Sequence, residues 1–377
     1  MGSLKDKYAI VGVGHTKLGR VPGISPVGFN VLAIKAALED AGISKDEVDG
    51  VLVKYPTSGF SMLFSAKVCQ ALGITNKLTA VIDQAGATGC TMVQYAAMAI
   101  NAGLATTVVC SYGDNPLTGP PGTYARLLGD DAAFGMFGPA AGYALAARRH
   151  MYEFGTTSEQ FGAIAVAFRK HASMNPHAQM QKPITLADHQ NSRWVVEPFH
   201  LLDCCLVSDG GAAVVVTSAE RAKDLKKKPV YIMGWGQSHP AWDIAQRESL
   251  VETGAKRSGE MAYRMAGVEP KDIDVAQIYD CFTYTALVTL EDYGFCKKGE
   301  GGPFVEGGRL ELGGELPCNT AGGLLSESGM PGMLLLVEAV RQLRGECGPR
   351  QVPDAEIEIV SGQGGVLTTH STLILRR

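Results

Sequence analysis

The feature that most constrains the fold is an internal repeat. Residues 41–49 read AGISKDEVD and residues 266–274 read AGVEPKDID. Each ends an amphipathic helical pattern and leads into an apolar strand, VLVKY or VAQIY. Further on, DQAGATG (83–89) precedes the helical pattern MVQYAAMAINAG, and NTAGGLL (319–325) precedes MLLLVEAVRQLRG. A strand follows each helix, TTVVCSYG (106–113) and IEIVSGQG (357–364). Three matches in one order, at slowly growing spacing, predict a duplicated α/β unit with insertions. The plainer alternative is chance similarity of βα units, since AG after a helix is a common cap. Helices alternating with β-branched strands predict a mostly parallel sheet covered on both faces.

The stretch between the repeats differs. Residues 115–200 hold PLTGPPG, a helical run GPAAGYALAARRHMYEFG and a polar segment with Pro176, Pro183 and Pro198. It reads as a long excursion over one face of the first half, a kind of segment that is often functional. LVSDGGAAVVVTS (206–218) returns as a strand, KDLKKKP (223–229) is a surface linker, and PVYIMGWGQ (229–237) opens the second half. The expected division is therefore 1–225 and 226–377.

Composition excludes several classes. The chain is 46% hydrophobic and 19% charged with a net charge of −4. That is too apolar for disorder, and it lacks the basic footprint of a nucleic-acid binder. No run of about 18 apolar residues suits a membrane span. Nine cysteines without CxxC spacing, behind a start lacking an apolar signal region, predict free thiols in a reducing cytoplasm. Glycine, 46 of 377 residues, is well above the usual ~7%. The excess predicts tight turns and close backbone approaches, as in α/β enzymes that bind ligands at strand ends.

Four segments could carry chemistry. At 81–100 a strand ends in QAGATG and a helix starts near Thr88, so backbone N–H groups could face an anion or a developing oxyanion. A tightly packed structural turn is the alternative. Cys90, one turn into the helix, reads either as a nucleophile of lowered pKa or as a small buried residue. In QIYDCFTYTALVTLEDYGF (277–295), a strand ends at Tyr279 and Asp280 and Phe282 opens a helix. Tyr279 could exchange a proton, and Asp280 could act as base or cap the helix. NTAGGLLSESGMPGM (319–333) is the counterpart of the first segment. In SGQGGVLTTHST (361–372), consecutive glycines allow close approach to a ligand, and His370 reads as catalytic or as a core histidine. No GxxxxGK[ST], GxSxG or HExxH is present, and HLLDCC (200–205) has no zinc-site spacing, so no metal is expected.

The duplicated plan, with QAGATGCT, LVSDGGAAVVVTSAERA, IYDCFTYTALVTLEDYGF, NTAGGLLSESGMPGM, RQLRGECGPRQVP and the final Gly-rich strand, resembles the thiolase superfamily. The nearest branch is that of the lipid-transfer-protein (sterol-carrier-type) thiolases and thiolase-like aldolases. The resemblance runs from about Tyr8 to Arg377. It implies a five-layered αβαβα fold, a homodimer, an acyl-coenzyme A substrate with no other cofactor, and 115–200 as the region covering the active site.

Residue by residue, the chain departs from that pattern. The family's nucleophilic Cys falls on Gly86. Its GHP histidine falls on Gly329, or on Met330 if the proline is aligned. Its second catalytic Cys falls near Ser361, and the Asn or His of its NEAF or HDCF motif falls on Tyr279. The oxyanion and substrate-binding positions implied are Gly86, Ala87, Gly329, Met330, Ser361, Gly364 and Gly365. Without a thiolate, acyl transfer onto the enzyme is blocked. Retro-aldol cleavage needs only a base for the β-hydroxyl and stabilisation of the enolate, and Tyr279 is placed to supply the base. The leading expectation is an acyl-coenzyme A carbon–carbon lyase. The alternatives are an atypical thiolase cleaving a bulky β-ketoacyl-coenzyme A through Cys90 or another thiol, and a non-catalytic acyl-coenzyme A or lipid-binding subunit. The aldolase resemblance further implies a small zinc-ribbon/OB-fold partner forming a heterotetramer.

Overall fold

The structure, a computed structural model, describes residues 4–120 and 132–377. The last residues of the PLTGPPG segment lie outside the described residues. The first half runs β1 (Tyr8–His15), α1 (Pro26–Ala41), β2 (Gly50–Val53), α2 (Phe64–Leu72), β3 (Leu78–Val81), α3 (Thr88–Asn101) and β4 (Thr107–Asp114). Two helices, α4 (Pro139–Phe154) and α5 (Ser158–Ala172), belong to the excursion that precedes β5 (Gly210–Ser218). The second half runs β6 (Val230–Ser238), α6 (Ala255–Ala266), β7 (Val275–Gln277), α7 (Thr283–Asp292), α8 (Met333–Arg344), β8 (Ile357–Gly364) and β9 (Thr369–Arg376).

The repeat seen in sequence is a repeat in structure. Helix α1 stops at Gly42 and α6 at Gly267, both left-handed, with φ of 70° and 68°. A 3₁₀ turn closed by a capping box follows each, at Lys45–Glu47 and at Pro270–Asp272. Strands β2 and β7 come next. Glycine at the C′ position takes the left-handed conformation without steric cost, which is why both helices end there.

Hydrogen bonding joins the strands in the order β3-β2-β4-β5-β1-β6-β9-β8-β7. The two half-sheets are joined through β1 and β6, which pair at Ala9↔Tyr231 and Ile10↔Val230. In the second half, Cys318 bridges Ala276 in parallel, taking the place that β3 holds beside β2. The expected parallel majority is not found. Pairing is parallel at β3–β2, β2–β4 and β8–β7 and antiparallel at the other junctions. Each half adds its last strand in reverse, β5 after the long excursion and β9 through a tight turn.

The layers alternate α, β, α, β, α. Helix α1 packs outside β1, β5 and β4, and α6 packs outside β6 and β9. Helices α3 and α8 lie between the half-sheets and touch strands of both. The apolar residues of α8, from Met333 through Leu343, are buried on all sides, as a central helix requires. Part of the glycine excess serves the outer layers. A β-carbon on Gly12 would lie 2.2 Å from the Ala37 carbonyl oxygen of α1, and one on Gly236 would lie 2.1 Å from the Ser258 carbonyl oxygen of α6. The GxG of β1 and the GxG of β6 thus let equivalent helices sit directly on the strand backbone. Both inner helices begin at the same place, where three strand ends converge.

Candidate active site

The turn before α3 is fixed locally. Asp83 Oδ1 accepts from the Ala85 N–H at 2.8 Å, and Thr88 Oγ1 accepts from the Gln84 N–H at 2.8 Å while donating to the Ala85 carbonyl at 2.7 Å. These bonds hold Ala85 at φ +50°, a left-handed conformation that costs energy for a residue with a β-carbon. Gly86 follows and is buried. A β-carbon on it would lie 2.2 Å from both Cζ and Oη of Tyr279, and 2.3 Å from the Gln363 carbonyl oxygen. The phenol therefore fills the space into which a side chain at residue 86 would project. Three more glycines close the wall. A β-carbon on Gly332, which caps α8, would lie 2.7 Å from the Gly86 carbonyl oxygen. On Gly362 it would lie 2.8 Å from Ala87 Cα, and on Gly364 2.1 Å from the Gln84 carbonyl oxygen.

Tyr279 stands two residues beyond the end of β7, in a segment held from both sides. Asn319 accepts from the Ile278 N–H at 2.6 Å and donates to the Ile278 carbonyl at 2.8 Å. Ser361 Oγ accepts from the Tyr279 N–H at 2.8 Å. Only 7% of Tyr279 is exposed. Beside it, Gln363 Oε1 accepts from the Tyr143 hydroxyl at 2.6 Å and from the Cys281 thiol at 3.8 Å. Its Nε2 donates to the Gly364 carbonyl at 2.7 Å. Burial pushes the Tyr143 phenol well above its ordinary range and the Cys281 thiol up to about 12, so both stay protonated donors.

The other candidates fall elsewhere. Asp280 is a cap, but for a different helix than expected. It accepts from Leu324 N–H at 2.8 Å and Leu325 N–H at 3.2 Å, at the start of the turn Gly323–Ser326. Helix α7 has no side-chain cap at Phe282. Burial raises the Asp280 carboxyl to about 7. Cys90 is buried in α3, donates to the Val360 carbonyl at 3.8 Å, and is held as a thiol by desolvation. His370 lies in the core with Nε2 3.0 Å from the Tyr293 hydroxyl, and burial lowers it to about 3. The structure does not bring Cys90 or His370 into the group around Tyr279. Gly329 supports the fold, since its β-carbon would lie 1.7 Å from the Leu206 carbonyl oxygen. Met330 is buried. Ser361, Gly364, Gly365 and Ala87 do gather at the Gly86–Tyr279 pair, Gly365 through its carbonyl 2.6 Å from the Tyr143 hydroxyl.

Sequence reasoning missed Gln363, Tyr143, Asn319 and Gly332. A polar residue between glycines at a strand end, SGQGG, was the available signal for Gln363. An Ala-rich helix gave none for Tyr143.

Residues 236–377 match the Thiolase C-terminal domain-like family. The whole chain is similar to a steroid side-chain-cleaving aldolase of Thermomonospora curvata, 41% identical over 98% of both proteins. The chain belongs to the thiolase superfamily. Within it, this thiolase-superfamily protein stands in the aldolase branch. It is 40% identical to a 17-hydroxy-3-oxo-4-pregnene-20-carboxyl-CoA lyase of Mycobacterium tuberculosis, over 97% of this chain and 98% of that one. A solved structure described as an Ltp2-ChsH2(DUF35) aldolase superposes with a TM-score of 0.91 at 40% identity, covering 99% of this chain and 98% of that one. The chain is a retro-aldol lyase acting on an acyl-coenzyme A thioester. Among the described residues no helix is long and apolar enough to cross a membrane.

Proposed function

We propose that the substrate is a β-hydroxyacyl-coenzyme A whose acyl part is a steroid side chain, and that Tyr279 is its acid/base. The Gly86–Tyr279 pair carries this reading. The position that the thiolase resemblance assigns to the nucleophile has no side chain, and a phenol fills the volume instead. The Tyr279 oxygen, as phenolate, takes the proton of the β-hydroxyl. The oxygen's electron pair forms a carbonyl, the Cα–Cβ bond breaks, and its pair passes to the thioester as an enolate. The N-termini of α3 and α8 point their positive ends at this wall, where negative charge develops. The enolate α-carbon then recovers the proton from Tyr279. A ketone and a shortened acyl-coenzyme A leave, and no covalent enzyme intermediate forms.

The chain is also proposed to work in the cytoplasm as a homodimer carrying a small zinc-ribbon/OB-fold partner of the DUF35 kind. The 40% identity to a structure described as an Ltp2-ChsH2(DUF35) aldolase supports the partner.

The test is product analysis with a 17-hydroxysteroid-20-carboxyl-coenzyme A. Ketone and acyl-coenzyme A should appear in equal amounts, and the reaction should proceed without free coenzyme A. Cleavage of a β-ketoacyl-coenzyme A that consumes free coenzyme A would replace the reading with a thiolase.

A further inference from the structure

We propose that Tyr143 is a positioning residue for the carbon–carbon cleavage, acting on Tyr279 through Gln363. The proposal rests on the acid/base assignment of Tyr279.

Gln363 is the link. Its carbonyl oxygen and the Tyr279 phenol oxygen both lie within 2.3 Å of one point, the place of a β-carbon on Gly86. Whatever moves the Gln363 backbone therefore moves the wall against which the phenol rests. The side chain of Gln363 fixes that backbone, and its amide can face only one way. Oε1 lies toward two donors, the Tyr143 hydroxyl at 2.6 Å and the Cys281 thiol at 3.8 Å. Nε2 lies toward two acceptors, the Gly364 carbonyl at 2.7 Å and the Gly365 carbonyl at 3.3 Å. Flipping the amide would set its oxygen against the Gly364 and Gly365 carbonyl oxygens, acceptor against acceptor.

Of these partners, Tyr143 alone comes from outside the second half. It belongs to α4 in the excursion between β4 and β5, whereas Cys281, Gly364 and Gly365 neighbour Tyr279 and Gln363 in the second half. Its hydroxyl also lies 2.6 Å from the Gly365 carbonyl, at the β8–β9 turn. Its ring packs at 4.7 Å on Phe282, three residues after Tyr279. One buried phenol thus ties the excursion to both segments that form the site. Geometry set this way matters for rate, because a misplacement near 1 Å can cost about a hundredfold.

The test compares Tyr143→Phe with Tyr279→Phe in the complete protein, using the β-hydroxyacyl-coenzyme A substrate. Tyr143→Phe keeps the ring and its packing and loses only the hydroxyl. The expected result is a fall in kcat of about tenfold to a hundredfold, with little change in KM and a displaced Tyr279 limb in the pH–rate profile. Gln363→Met removes the acceptor of the same bond and should reproduce the displaced limb. Unchanged kcat and pH profile in a folded Tyr143→Phe, with Tyr279→Phe inactive, would overturn this proposal alone. Full activity of Tyr279→Phe would instead overturn the acid/base assignment beneath it. Failure of both Tyr143→Phe and Gln363→Met to fold would make the contact structural and overturn the positioning role.

Discussion

Gly86 and Tyr279 exclude each other's side chains: a β-carbon at residue 86 would stand 2.2 Å from the phenol oxygen. A nucleophile there and the tyrosine in its present place cannot coexist. The Gln363 carbonyl oxygen, 2.3 Å from the same point, closes the other side and cannot swing away as a side-chain tip could. Gly86→Cys should therefore abolish lyase turnover without creating a thiolase. It should destabilise the fold by about 1–3 kcal/mol, as overpacking does. Parallel lyase and thiolase assays with a thermal melt check all three outcomes.

Asn319 supplies both partners of the Ile278 peptide groups, at 2.6 and 2.8 Å, within the core. Asn319→Ala leaves a buried N–H and a buried C=O unsatisfied, each worth about 1–3 kcal/mol. It also places alanine at φ +49°, where asparagine is better tolerated. Denaturant unfolding should show a loss of about 2–5 kcal/mol. Turnover should fall in the fraction that remains folded, because Tyr279 follows directly.

Much of this architecture was legible in the residues themselves. The AG–KD repeat marked two helix stops, and MLLLVEAVRQL, apolar but for Glu338, Arg341 and Gln342, marked a helix. Strand direction was not legible, because an apolar run such as GGAAVVV reads the same whether its neighbour is parallel or antiparallel. The end of β7 was set two residues late, at Tyr279. Asn319, some forty residues away, takes the backbone of Ile278 out of the ladder, and no local pattern announces that. The Gly86–Tyr279 pair was visible only as two separate departures from the thiolase motifs, and their contact is a fact of three dimensions. Tyr143 was silent for a different reason. A tyrosine in an Ala-rich amphipathic helix looks like packing until its hydroxyl finds Gln363.

Glu358 gives a pH test. It is buried in β8, where its Oε1 accepts from Gln277 at 2.8 Å and its Oε2 has no hydrogen-bond partner among the described residues. Burial raises its carboxyl from 4.5 to about 8. A folded-state pKa above the unfolded one means the folded chain holds the proton longer. Its stabilising effect is complete below about pH 4.5 and is lost as pH rises toward 8. Asp280 and Glu327 titrate upward in the same range, so the difference between wild type and variant isolates Glu358. Glu358→Gln should gain stability relative to wild type as pH rises from 5 to 8, as read by unfolding at several pH values. A flat difference would contradict the assignment.

Cys90 separates the lyase from the thiolase alternative. It is 1% exposed, bonded to a backbone carbonyl and held as a thiol by burial. In the native protein it should resist iodoacetamide, and Cys90→Ala should keep its turnover while losing a little stability. Rapid alkylation of Cys90, prevented by acyl-coenzyme A, would instead restore the thiolase.

The most direct measurement is the turnover of Tyr279→Phe on the β-hydroxyacyl-coenzyme A substrate. The ring remains to fill the space beside Gly86, so the fold and KM should hold. Losing the acid/base should lower kcat by about 10²–10⁴-fold. Turnover equal to wild type in the folded variant would contradict the account.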